Sequence, residues 1–363
     1  KNLDSAEKKD EDNPMKKSTL LLLAGLLSFG SQAAVGGYPV VLVHGFQPDN
    51  LASKPTGSQV TTNGAEYWAQ YWRDRADARI DWPSQERIAG KIASDYVWPK
   101  LQQLSRSGTC SNGCIFVSHS TGDLVTRYII DNQALWLQNA GLQPLNIVAS
   151  FDFAGAGGGV ELADLAVNVA GGSGLVDATL RLALSLWLGE IPTPSNVGVL
   201  NDLRVNSARQ LAAFPDTRVP RLRFAGAGSD FLGATGAFLP GEDDGVVASH
   251  SSCGASSAAS FNSCSRSVAF DGKLTSVSGP SGFMPYHYPM LMSEGYSHSD
   301  VIANSAKDEI TAANSGASYL NGDRLQFSTY DETRGWWIFS SRYRVVRNSN
   351  STSMSALVYQ AAN

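Results

Sequence analysis

Cys114-Ile115-Phe116-Val117-Ser118-His119-Ser120-Thr121-Gly122-Asp123-Leu124-Val125 is the stretch from which the fold is read. Residues 114–117 are a short apolar run of the kind that forms a buried strand. Leu124, Val125, Tyr128 and Ile129 then recur at helical spacing. Ser120 lies between the two, and a strand that turns sharply into a helix with a serine at the tip is the setting of a nucleophile elbow. Small residues two before and two after the serine, Ser118 and Gly122, let strand and helix approach. Ser118 stands where glycine is usual. The plainer alternative is that Ser120 caps an ordinary helix.

Outward from this stretch the same alternation repeats. Residues 38–43 (YPVVLV), 145–153 and 221–225 read as further buried strands. Residues 84–105 carry helical spacing through Ile88, Ile92, Tyr96, Leu101 and Leu104, interrupted near Pro99. Residues 47–64 are polar, punctuated by Gly and Pro, and read as a loop. Strands alternating with helices mean an α/β fold with a parallel sheet. Residues 157–200 stand apart. A glycine-rich opening leads to two strongly apolar segments, 162–169 and 175–188, which read either as core helices or as a mobile lid over a site. Residues 319–359 alternate apolar and polar around Trp336-Trp337-Ile338-Phe339 and read as a terminal β-ribbon. Tyr67, Trp68, Tyr71, Trp72 and Trp82 read as exposed aromatic loops able to meet a substrate.

The N-terminus is expected to lie outside the fold. Residues 1–14 read as a tag or leader. Residues 15–33 pair Lys16 and Lys17 with the apolar run 20–29 and a small-x-small site at Ser31-Gln32-Ala33, the form of a secretory signal. The apolar run is too short for the ~20 residues that span a membrane. The remaining residues, 34–363, read as one domain, and with 43% hydrophobic residues they can bury a sizeable core. A net charge of −5 lacks the basic stripe of a nucleic-acid binder. Export implies an oxidising compartment, where the four cysteines pair locally as Cys110–Cys114 and Cys253–Cys264. The spacing does not suit zinc.

Acyl chemistry at Ser120 needs two backbone donors for the oxyanion. One is the N–H of Thr121. The other is Phe46, after His44-Gly45 at the end of the first strand. The general base is one of the histidines. His44 and His119 belong to their motifs, which leaves His298 ahead of His287 and His250. His298 comes late in the chain, just before an apolar-periodic helix with Val301, Ile302 and Ile310. The orienting acid should fall between serine and histidine. Asp244, beside Gly245, is the first choice, with Asp243 and Asp152 as competitors.

The order H-G, then x-H-S-x-G, then Asp244-Gly245-Val246-Val247, then Ser297-His298-Ser299-Asp300-Val301 resembles the secreted bacterial true lipases of the α/β-hydrolase superfamily, in their foldase-dependent group. Residues 200–219 are also similar to that family's segment after the lid. The resemblance spans roughly 38–310. It implies a mostly parallel sheet flanked by helices, a helical lid at 157–200, and a Ser-His-Asp triad of Ser120, His298 and Asp244. It implies no cofactor for the chemistry, and a structural calcium held by Asp300, with Asp230 as a second ligand. It also implies transient contact with a lipid interface without membrane integration, and for some members a secretion foldase. The expected activity is a triacylglycerol lipase or carboxylesterase. The alternatives are a polyester depolymerase or cutinase-like esterase, and an inactive secreted binding protein on the same fold.

Overall fold

The computed structural model describes residues 35–68, 70–173, 177–211 and 218–363. The expected leader (1–14) and signal segment (15–33) lie outside the described residues.

The apolar runs become strands that all join one sheet. These are β1 (Val40–Val43), β2 (Ala78–Ile80), β3 (Cys114–His119), β4 (Ile147–Phe153), β5 (Arg221–Gly226), β6 (His287–Ser293) and β7 (Thr311–Ala312), in the order β2-β1-β3-β4-β5-β6-β7. All neighbours pair parallel except β6 and β7, which are antiparallel. Successive residues of a strand face opposite sides. Val41 and Val43 therefore join one core with Ile80, Leu101, Phe116 and Leu124, while Val40 and Leu42 join the other with Ile115, Val117, Phe151 and Leu222. Both faces are covered, which is why these strands read as continuous apolar runs.

The helices are α1 (Asp49–Ser53), α2 (Ser58–Tyr67), α3 (Trp98–Ser107), α4 (Gly122–Asn139), α5 (Glu161–Ala170), α6 (Ala178–Leu188), α7 (Leu200–Leu203), α8 (Val205–Leu211), α9 (Ser249–Ser252) and α10 (Met354–Ala362). A further helical segment, Ile88–Val97, runs directly into α3. The helical hydrogen-bond pattern changes at Trp98, next to Pro99, whose ring nitrogen has no proton to donate to the turn before it. The remaining strands form two hairpins, β8 (Gly316–Ser318) with β9 (Arg324–Gln326) and β10 (Thr329–Arg334) with β11 (Ser341–Val346). A mostly parallel sheet covered on both faces, with a serine at a strand-to-helix turn, is the α/β-hydrolase fold.

The structure corrects five local readings. Residues 47–64 hold α1 and most of α2. Gly64 is tolerated within α2 because the Asp81 carboxylate packs where a side chain would stand. No helix follows His298, only a single turn, Asp300–Ile302, before β7. Strand β6 escapes the sequence pattern because it contains Pro289. The sheet accommodates this at a register shift between Arg223 and Phe224, a bulge being where strand proline is allowed. The terminal ribbon is confined to β10–β11, and the last turns are α10, which packs Met354, Leu357 and Val358 into the second core. The aromatic residues are not exposed loops. Trp68, Trp72 and Trp82 are fully buried, and Tyr67 and Tyr71 are half-buried.

Candidate active site

The parallel strands end at one edge of the sheet, and Ser120 directly follows β3 there. Ser120 has φ 56°, a left-handed conformation uncommon outside glycine. Such strain belongs to an elbow that thrusts the side chain outward. Its N–H donates to Phe153 O (3.0 Å) and its carbonyl accepts from Ala156 N (2.9 Å), which hold the turn from β4. The N-cap of α4 is Thr121, and no side chain caps the helix. Ser120 Oγ is therefore not spent as a cap. Gly122 is required here: a Cβ would collide with the carbonyl oxygens of Val43, at the end of β1, and of His44 just after it. Gly45 is required for the matching reason, since a Cβ there would lie 2.7 Å from Ser120 Cβ. These two glycines bring the early loop against the serine.

That loop is held rigidly. The His44 ring stacks on Trp82, with centroids 4.9 Å apart and planes 9° from parallel. His44 Nδ1–H donates to Gly45 O (2.8 Å), and Nε2 accepts from Trp82 N–H (3.0 Å). This fixes a neutral ring, and burial lowers its pKa further. Among the described residues no acceptor takes the N–H of Phe46 or of Thr121.

Of the histidines, His298 and His119 line one cavity with Ser120, Thr121 and Phe46. The cavity is about 270 Å³, and Val160, Trp187, Leu203, Phe231, Val246 and Ile302 give it an apolar wall. His298 Nδ1 lies 2.9 Å from Asp244 Oδ2, and the His298 backbone N–H donates to Asp244 O (2.8 Å). The other carboxylate oxygen of Asp244 accepts from the N–H of Val246 (3.0 Å) and Val247 (2.7 Å). The carboxylate is fully buried and aimed. Burial alone would lower the His298 pKa. The Asp244 charge and hydrogen bond, with help from Asp230, outweigh it, and the net shift is upward.

The competitors are engaged elsewhere. His287 is buried at the opposite end of β6, with Nδ1 on Pro285 O. His250 pairs through Nε2 with Glu161 (2.6 Å). Asp243 accepts from Gly245 N–H, and burial pushes its carboxyl up to about 6. Asp152 accepts from Ser118 Oγ (2.6 Å) and Ser150 Oγ (2.7 Å). Ser118, the residue in place of glycine, thus has a defined partner.

Two contributions were not legible beforehand. His119 Nε2 lies 2.8 Å from His298 O, and a carbonyl only accepts, so Nε2 carries the proton. His119 Nδ1 is then the acceptor for the Tyr67 hydroxyl. Burial first, and the His298 charge second, hold the His119 pKa well below the ordinary value, so it stays neutral. The second is Arg223 on β5, buried behind the elbow and bonded to Asp123 and Asp152.

The cysteines pair as Cys110–Cys114 and Cys253–Cys264, with Cα–Cα separations of 4.9 and 5.3 Å. The implied calcium does not fit its donors. Asp300 is paired with Lys307 Nζ at 2.6 Å, and Asp230 accepts from Ser299 N–H (3.1 Å). An ammonium at that distance repels a second cation. Among the described residues no group of three or more His, Cys, Asp or Glu could hold a metal.

No family model matches the sequence, and no curated protein matches it. Similarity is found among solved structures. The mature lipase BlEst2 of Bacillus licheniformis is 16% identical, over 73% of this chain and 86% of that one, at a TM-score of 0.40. The Staphylococcus hyicus lipase is 16% identical, over 73% and 88%, at 0.39. EstA from Clostridium botulinum is 12% identical, over 73% and 83%, at 0.38. Overlaps of this extent decide neither the fold nor the reaction. The fold rests on the sheet order, and the chemistry rests on the residues around Ser120.

Proposed function

We propose that this protein is a secreted serine hydrolase of carboxylic esters, acting on lipid or another water-insoluble ester. The observation that carries the reading is the His298 Nδ1–Asp244 Oδ2 contact of 2.9 Å at the cavity that Ser120 enters from a left-handed turn. Ser120 Oγ attacks the ester carbonyl while His298 Nε2 takes its proton. The new C–O bond leaves an oxyanion, which the N–H groups of Phe46 and Thr121 receive. The C–O bond to the alcohol then breaks, and His298 returns the proton to the leaving oxygen. Water repeats the sequence on the acyl-enzyme, with His298 as base and Ser120 as leaving group. Asp244 orients the imidazole and stabilises its charged form.

The choice of an insoluble substrate rests on the covering segment 157–200, read here as a lid. Its helix α6 turns Trp187 into the cavity, leaves Leu182 and Leu186, one turn apart, exposed, and approaches the turn 231–233 that carries the exposed Leu232. Two disulfides suit an oxidising compartment. Among the described residues no helix is long and apolar enough to cross a membrane.

The test is hydrolysis of p-nitrophenyl esters from short to long acyl chains, wild type beside Ser120→Ala. Long-chain preference, lost in the variant together with labelling by a serine-directed phosphonate, is expected. Short-chain preference would favour a soluble-ester or polyester hydrolase. Activity that survives in Ser120→Ala would overturn the triad, and no activity or labelling in either protein would leave an inactive binding protein.

A further inference from the structure

We propose that the tip of the β10–β11 hairpin is an anchor that inserts into an anionic lipid–water interface. This rests on the ester-hydrolase reading above and names the surface on which that reaction takes place. Four consecutive large apolar residues crown the hairpin: Trp336, Trp337, Ile338 and Phe339 are 80, 76, 71 and 79% exposed. Single exposed apolar residues are ordinary, but a contiguous patch of several hundred Å² marks an interaction site. The stem is firmly docked. Val345 and Val346 are buried, Val346 N–H donates to Ile310 O (2.7 Å), and Arg344 N–H donates to Gly272 O (2.8 Å). The tip therefore projects from a rigid base. Its backbone holds Trp337 at φ 48°, a left-handed conformation that costs free energy for a bulky residue. No packing of these side chains against the core offsets that cost.

Shape and charge select the occupant. A tip of four residues is convex. A fluid apolar phase needs no matching pocket, and tryptophan is enriched at the boundary between such a phase and water. Residues 329–347 carry Arg334, Arg342, Arg344 and Arg347 against Asp331 and Glu332, a positive hairpin on a chain of net −5. Asp331 takes both Arg342 and Arg344, while Arg334 is shared by Glu332 and Glu309. Arg347 lies over the Tyr330 ring. With Glu309 counted, four arginines along the stem meet three carboxylates, and this small excess below the exposed tryptophans suits an interface carrying negative charge. Ester hydrolysis at a lipid surface makes such charge, since it releases carboxylates there.

The experiment uses the full chain with Trp336, Trp337, Ile338 and Phe339 all replaced by Ser. Binding to sedimentable vesicles is measured with phosphatidylcholine alone and with phosphatidylcholine plus phosphatidylglycerol. Turnover of soluble p-nitrophenyl acetate and sedimentation velocity are measured on the same samples. Wild type is expected to bind the anionic vesicles at least tenfold more tightly than the variant and than it binds the neutral ones. Soluble-ester turnover should stay within twofold, which also shows that the variant folds. Equal binding by the variant, no binding by wild type, or equal binding to neutral vesicles would overturn the anchor. So would a dimer that the substitutions convert to monomer. Vesicle binding requires no ester cleavage, so loss of the enzyme reading would appear separately, as absence of turnover in both proteins.

Discussion

Arg223 on β5 donates to Asp123 at the start of α4, Nη1 to Oδ2 at 2.7 Å, with both side chains fully buried. The remaining guanidinium protons go to Asp152 (3.4 Å), to Gly155 O (3.0 Å), and to Ser251 O (2.9 Å) and Ser252 O (3.0 Å). All five donors are used. One side chain thus ties the helix that follows Ser120 to the end of β4 and to the segment after Asp244. Asp123 meets this cation directly, and Ser118, which stands where glycine is usual, meets it through Asp152.

Replacing Arg223 with Met should destabilise the fold by about 3–5 kcal/mol, because it strands two buried carboxylates. Urea unfolding monitored by circular dichroism measures this. In the Asp123→Asn background the same change should cost less, since the two residues share one interaction. Additive losses would show that they act independently.

Ester hydrolysis should follow the charge of His298. The base works when neutral, so kcat/KM on a soluble ester should rise with pH through one inflection above the ordinary imidazole value of 6.5. Asp244→Asn removes the main upward push and leaves burial acting downward. The inflection should move lower while the rate falls on the order of 10³–10⁴-fold. An unmoved inflection would mean that another group titrates.

Tyr67→Phe removes the hydroxyl that satisfies His119 Nδ1, and His119 in turn holds the His298 carbonyl. We expect kcat to fall about tenfold, equivalent to ~1.4 kcal/mol, with KM little changed. A change in KM alone would make Tyr67 a substrate contact.

Non-reducing peptide mapping should recover Cys110 linked to Cys114 and Cys253 linked to Cys264. Replacing Cys253 and Cys264 together by Ala opens a loop with a sequence separation of 11. It should cost about 2–3 kcal/mol, more than opening the separation of 4 between Cys110 and Cys114. Thermal unfolding of the two double variants gives the comparison.

Excess chelator should leave the thermal midpoint and the ester turnover unchanged, because Lys307 already neutralises Asp300. A midpoint that falls on chelation and recovers with calcium would contradict this.

The sequence alone determined the α/β alternation, the elbow at Ser120 and the local pairing of the cysteines. Each is written in near neighbours, where apolar period, small residues and short loops act directly on the chain. It also ranked His298 and Asp244 first by their order. Only the tertiary structure joined them, since they lie 54 residues apart and meet through the ends of different strands. The misread elements share one physical cause. Gly64 in α2, Pro289 in β6 and the tryptophans of the early loops have local signatures of loop or surface. Packing against Asp81, a sheet bulge and full burial override them. The same holds in reverse for Trp336 to Phe339, whose composition suits a core and whose position at a hairpin apex leaves them in water. Local pattern records what each segment prefers, and burial is decided by what the rest of the chain places beside it.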